Sequence, residues 1–301
     1  VKQLVQEVQE FVNKVYLVDV AAVGALYAEW LPYGPGVTNY LATPDMPLNT
    51  AGTEFDLPGG TIMNGDLGSV KLFNSLSDPY FKDNVEESIS RAWYDGDWQK
   101  HPWEEDTTPK YTDSDEAGRY SWLKAPRFEG KPMQVGPLAQ MLIGYASGHE
   151  KIVKGVNGAL DLVSTVAGTK VGPDALFGTV GRHAARAVRC SLMAELTLKH
   201  WDLLVNNIAT GDLEIFNPPT FPKGEQRGMG IHEAPRGLLS HWIVIQDGKI
   251  KNYQCVVPST WNAGPRDAKD QLGPYEASLL ANPIADPERP LEVLRTIHSF
   301  D

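Results

Sequence analysis

The chemistry this chain offers is concentrated in a few side chains near its end. His232-Glu233 opens an HExxH-like run, but position 236 is Arg, and Pro235 would break the helix that such a zinc site needs. Arg236 is more informative. It stands between Pro235, which restricts the backbone, and Gly237, which permits close approach to another group, in the otherwise apolar stretch APRGLLSHW. A guanidinium enclosed there needs a carboxylate or another anion, so the residues alone favour a structural salt bridge over a ligand-facing arginine. Arg266 has a similar setting with Asp267 beside it, which strengthens the structural reading there. Ser259 and Thr260 follow Val257-Pro258 at the end of a strand-like run. Hydroxyls and open N–H groups on an apolar platform suit an anion or a polar ligand, although caps and turns are their commoner use. His298 and Asp301 fit either capping or ligand roles.

The two cysteines, Cys190 and Cys255, lie far apart and form no CxxC pair or disulfide framework. They read as buried thiols acting as small hydrophobes. A soft-metal site would need thiolates that this chain does not carry. There is no G-x-S-x-G elbow or Walker sequence, and GMGIHE lacks the third glycine of a dinucleotide loop.

Those residues need elements to hold them. The chain has 301 residues, 42% hydrophobic and 22% charged, enough for one large or two modest cores. A net charge of −11 argues against nucleic-acid binding, which needs clustered cations. No run approaches the eighteen apolar residues of a membrane span. The start, VKQLVQEVQEF, has neither a secretory signal pattern nor an initiator Met, and IHSFD ends on an apolar stretch, so both ends read as cut from something longer.

Residues 1–30 carry apolar positions at helical spacing (Leu4, Val5, Val8, Phe11, Val12, Val15), and LPYGPG then stops the helix. Short β-prone runs over 37–75 predict hairpins, and 95–119 reads as an ordered surface excursion whose aromatic residues pack on a neighbour. Pro137 marks the first turn of a helix. Residues 151–210 are helical with a break at 168–173, and the second piece is long enough to belong in a bundle. His183 and His200 on it read as one surface and one core-edge histidine. Strands at 241–246 and 249–257 flank the Asp247-Gly248 turn, PSTWNAGPRD is rich in turn formers, and a last helix covers 290–298. The class is mainly α, a helix bundle with small antiparallel β hairpins. The chain divides into a helix with a β-rich excursion (1–130), long bundle helices (131–210), and hairpin and active-site segments (211–301).

In order and spacing, HPW (101–103), YSWLKAPR (120–127), VGPLA (135–139), EAPRG (233–237), DGKIKNYQCVVPSTWNAGPRD (247–267), LGPYEASLL (272–280) and PLEVLRTIHSFD (290–301) resemble the C-terminal half of the nickel–iron hydrogenase large subunit. Within that family the similarity is to the enterobacterial hydrogenase-2 type, a membrane-associated uptake enzyme. The resemblance implies a hydrogenase large-subunit-like fold and reversible heterolytic cleavage of dihydrogen at a nickel–iron centre carrying carbon monoxide and cyanide. It implies four cysteine ligands in two CxxC pairs, both outside this chain. One pair lies upstream, and the other begins just after the family aspartate that Asp301 matches. The isolated chain is therefore expected to be inactive.

Residue by residue, Arg236 matches the arginine over the open bridging position, and Asp301 the carboxylate of the same canopy. Ser259 and the Arg236 N–H match groups that hydrogen-bond cyanide. Pro235, Val257 and Pro258 match the apolar wall around the diatomic ligands, and Cys255 a position whose backbone carbonyl binds magnesium. The resemblance further implies an iron–sulfur small subunit as partner. It also implies a periplasmic location at the inner membrane, reached by export with that subunit. Arg236 and Asp301 read first as positioning and electrostatic groups, with proton abstraction by Arg236 second. The alternative is a metal-free relative, the quinone-site subunit of respiratory NADH dehydrogenase. Against it stand VVPSTWN and LRTIHSFD, which have no purpose without the metal site.

Overall fold

The computed structural model describes residues 1–113 and 118–300. The amphipathic start forms α1 (Lys2–Phe11) and α2 (Leu17–Leu26), joined by a π-helical turn over Val12–Tyr16. Its apolar stripe is not covered. Leu4, Val8, Phe11 and Val15 are exposed, while Val12 and Ala21 pack inward.

The expected hairpin region forms β1 (Tyr40–Ala42), β2 (Asp45–Pro47), β3 (Phe55–Leu57), β4 (Gly60–Ile62) and β5 (Lys71–Leu72). These make a β2–β3 hairpin and a small sheet in the order β1–β4–β5. After the short α3 (Pro79–Lys82), β6 (Val85–Ser88), β7 (Gln99–Lys100) and β8 (Ala125–Phe128) pair in the order β7–β6–β8.

The acidic excursion is ordered where it is described, as its aromatic content predicts. Trp103 packs edge-on against Trp242 at 5.1 Å and donates its indole N–H to the Gly228 carbonyl at 3.0 Å. A buried knot ties the excursion down: Lys124 Nζ bridges Glu87 (2.5 Å) and Glu105, and donates to Gln254 at 3.1 Å. Burial, with the Glu87 charge beside it, pushes the Glu105 carboxyl up, and Lys124 opposes that rise.

The helical core is α4 (Pro137–Ala146), α5 (Glu150–Ala167) and α6 (Thr179–Ala209). Pro137 occupies the first turn of α4, where its missing N–H costs nothing. Gly168, left-handed at φ +65°, ends α5 at the expected break. The 31-residue α6 packs against α1, α2, α4 and α5. Leu138, Leu142, Ile152, Val188 and Leu192 join Tyr40 and Ile62 in one apolar core.

The last third holds β9 (Glu225–Ala234), β10 (Gly237–Gln246) and β11 (Lys249–Val256), an antiparallel sheet in the order β11–β10–β9. Asp247 and Gly248, both at positive φ, make the expected hairpin turn. Then follow α7 (Pro258–Ala263), α8 (Pro274–Ser278) and α9 (Leu291–His298). A second core gathers Phe81, Phe128, Met133, Leu238, Trp242 and Trp261 between this sheet and β8.

Helix makes up 41% and strand 20%, so the expectation of a mainly α chain understates the sheet. Part of the difference lies in β9, whose Gly228 and Gly230 interrupt the alternating pattern by which a strand is recognised, and part in the short strands β6, β7 and β8. PSTWNAGPRD is likewise partly helical, with α7 starting on Pro258.

Candidate functional site

The loop between β9 and β10 is two residues long, Pro235 and Arg236, flanked by the paired Ala234 and Gly237. Its tip rests on the chain just before α4. A Cβ at Gly136 would lie 3.0 Å from the Arg236 carbonyl oxygen, and a Cβ at Gly237 would overlap the Gly136 nitrogen. Gly237 sits at φ +121° and Gly136 at φ +119°, a backbone region closed to other residues. The Pro-Arg-Gly reading holds in that the glycine permits backbone-on-backbone packing. It fails on burial. Arg236 is exposed, because a two-residue loop pushes both its side chains beyond the sheet, and Pro235 is exposed with it.

The same strip of chain meets α7 from the other side. The Asn262 carboxamide donates to the Val135 carbonyl at 3.0 Å and accepts from the Val135 N–H at 3.1 Å. Val257 is the N-cap of α7, with buried Pro258 and half-buried Ser259 as its first two residues. Pro235–Arg236 and Val257–Ser259 are thus brought to two flanks of Val135–Gly136.

Cys255 faces outward on β11, opposite His241 on β10, with its sulfur 3.3 Å from His241 Nδ1. Tyr253 Oη lies 2.5 Å from that same nitrogen. Both thiols read as buried are not: Cys255 is exposed and Cys190 half-buried. Strand alternation explains Cys255, since its neighbour Val256 takes the inward position.

Asp301 lies outside the described residues. The residues leading to it are firmly held: Arg182 donates to the Ser299 hydroxyl at 2.7 Å, and Arg186 to the Ser299 carbonyl at 2.9 Å. The Arg182 guanidinium also lies 3.7 Å from the Phe300 ring centre.

Arg266 makes a structural ion pair as expected, at the surface and with Glu276 at 3.8 Å; its neighbour Asp267 pairs with buried Arg127 instead. His183 is exposed and His200 is half-buried against Asp56 at 2.8 Å, in line with the sequence reading.

Beneath the Arg236 loop lies a charge cluster that local sequence patterns did not reveal. Arg189, from the buried face of α6, bonds Gln140 at 2.7 Å and Asp45 at 3.4 Å. Glu233 is buried, and one carboxylate oxygen accepts from the Thr43 N–H at 2.9 Å. Burial pushes its carboxyl up to about 8; Arg189 and the Thr43 N–H oppose that rise, and Asp45 adds to it. The HExx comparison singled out Glu233 for another reason, and nothing local in the sequence announces Arg189.

Because the folded Glu233 holds its proton well above the ordinary value of 4.5, its contribution to stability is complete below that value and lost as pH rises through about 8. Glu233→Gln should therefore be tolerated at neutral pH and should flatten the alkaline loss of stability. Unfolding midpoints at about pH 6 and about pH 9 check this. An equal alkaline loss in wild type and variant would assign the titration to another group.

Among the described residues, no cluster of three or more His, Cys, Asp or Glu could hold a metal ion. Two separated thiols also cannot supply a four-thiolate set. The chain therefore does not itself fit a nickel–iron centre as ligand donor; it offers a flank of donors and apolar surface. An apolar cavity of about 530 Å³ between α2, α5, α6 and α9 is lined by none of Arg236, Ser259 or Cys255.

A family model described as nickel-dependent hydrogenase matches residues 1–301. The chain is 44% identical over 302 residues to the hydrogenase-2 large chain of Escherichia coli K12, covering 100% of this chain and 53% of that one. It is 42% identical over 328 residues to the uptake hydrogenase large subunit of Rhodobacter capsulatus, again covering 100% and 53%. The solved NiFeSe hydrogenase of Dm. baculatum superposes with a TM-score of 0.80 at 30% identity, over 98% of this chain and 57% of that chain. The oxidised Ni-Fe-Se hydrogenase of D. vulgaris Hildenborough gives 0.80 at 29%, over 98% and 58%. The chain spans about half the length of the curated relatives it matches.

Proposed function

Because this chain belongs to the nickel-dependent hydrogenase family, we propose that it forms the flank of a nickel–iron site in a hydrogenase large subunit that splits dihydrogen reversibly into protons and electrons. The observation that carries this reading is the shared Val135–Gly136 strip. It holds the Arg236 loop on one side and the Pro258–Ser259 helix start on the other, as a site wall built from both segments requires. The metal centre supplies the redox chemistry when bound. Its cysteine ligands come from outside this chain.

The chain's own residues then do three things. Arg236 presents a permanent cation at the loop tip, where it steadies developing negative charge and orients the substrate. Ser259 and the Arg236 N–H offer hydrogen bonds to anionic ligands of the centre, such as cyanide. Pro235, Val257 and Pro258 present apolar surface that limits water. For Asp301 the proposed role is electrostatic, and the Cys255 carbonyl is an oxygen donor of the kind magnesium takes. Proton abstraction by Arg236 ranks second to this electrostatic role, because a guanidinium gives up its proton only at great cost. Electrons leave through the clusters of an iron–sulfur small subunit. The assembly resides on the periplasmic side of the inner membrane, exported with that subunit.

The test is to produce the full-length large subunit with its partner, then record infrared absorption in the carbon monoxide and cyanide stretching region together with hydrogen-driven dye reduction. Bands and reduction are the expected outcome. A fully folded complex with neither overturns the proposal.

A further inference from the structure

We propose that Arg189 is a positioning residue that aims Arg236, a role resting on the reading of Arg236 given above. The argument begins at the sheet edge. In the order β11–β10–β9, strand β9 pairs on one side only among the described residues, so carbonyls along its outer edge lack a strand partner there. At its end, Arg189 takes that edge over. Nη2 donates to the Glu233 carbonyl at 3.2 Å, and Nη1 donates to the Ala234 carbonyl at 3.3 Å and the Pro235 carbonyl at 3.5 Å.

Carbonyls of successive residues in a flat strand point to opposite edges. Three consecutive carbonyls reaching one guanidinium means that the backbone curls around it, and the curl ends at the residue before Arg236. The direction in which Arg236 leaves the sheet is thereby set from below. Arg189 is itself fixed: it is buried, its Nε bonds Gln140 on α4, and Asp45 lies beside its Nη2. One end of this chain of contacts is the long helix α6, a rigid base, and the other is the exposed loop tip.

Only a planar fork of donors fits this arrangement. Lysine keeps the charge but offers one compact ammonium, which cannot span carbonyls from three residues and the Gln140 amide together. Arg189→Lys therefore separates geometry from charge.

In the full-length, metal-loaded enzyme, R189K should retain nickel and iron. Amide hydrogen exchange over residues 233–237 should quicken relative to the rest of β10 and β11, and kcat should fall by roughly ten- to a hundredfold with a smaller change in KM, as expected when a group is misplaced by about 1 Å. A purely structural role predicts lower stability with wild-type kcat per loaded molecule, and that result overturns the proposal. If R189K does not fold, Gln140→Met removes the bond that orients Arg189 Nε and is read the same way. Faster exchange at 233–237 with reduced kcat supports the role, and unchanged values overturn it. Arg236→Lys serves as the separating control. Wild-type turnover there removes the reading of Arg236, whereas impaired R236K with normal R189K and Q140M removes only the role of Arg189.

Discussion

Replacing Arg236 by lysine in the full-length enzyme should lower hydrogen-oxidation turnover by roughly a hundredfold or more, the usual cost of removing one preorganised charge-stabilising donor, while leaving nickel and iron content unchanged. The loop explains both halves of this expectation. Arg236 is exposed, so the fold should survive its replacement. Its backbone is locked between Pro235 and Gly237 against Gly136, so the shorter, single-point ammonium cannot shift to occupy the guanidinium position. Dye-coupled hydrogen oxidation, normalised to metal analysis, gives the answer. Turnover within about threefold of wild type would remove Arg236 from the transition state, given that a lost donor there costs about a hundredfold.

Breaking the Arg127–Asp267 pair should produce the largest loss of stability in the chain. Both side chains are essentially inaccessible, and Arg127 Nε donates to Asp267 Oδ2 at 2.6 Å. The guanidinium also donates to the Pro126 carbonyl at 2.8 Å and the Gln271 carbonyl at 2.9 Å. Asp267 accepts from the Lys269 N–H at 2.8 Å and the Gln271 N–H at 3.1 Å. Asp267→Ala leaves a buried guanidinium without its carboxylate and should cost about 3–5 kcal/mol. Urea unfolding of the full-length subunit measures it, and a loss below about 1 kcal/mol would mean that the pair merely balances its own desolvation.

The same pair has a pH signature. Burial opposes the Asp267 charge, but Arg127 and the two backbone N–H groups outweigh it and hold the carboxyl below the ordinary aspartate range. Its stabilisation is therefore present above that range and lost as pH falls through the lowered value. This acid-side loss should vanish in the alanine variant, and it is opposite in sign to the alkaline loss assigned to Glu233.

Several elements were legible because the chain encodes them locally. Asp247-Gly248 specifies its own turn, Pro137 starts α4 and Gly168 ends α5 through backbone preferences that need no partner. The motifs from HPW to LRTIHSFD carried the family, because they repeat a site's residues in a fixed order. The sequence also pointed to the Pro-Arg-Gly loop, but not to its exposure.

Tertiary structure alone decided which charges meet. Asp267 sits beside Arg266 in the chain yet pairs with Arg127, 140 positions away. Arg189 reads as one more polar residue on a long helix until β9 curls around it, and Glu233 as ordinary until burial raises its carboxyl. Local pattern records what each backbone segment prefers. Burial and charge pairing depend on which segments pack together across the fold, and no short window of residues contains that distance.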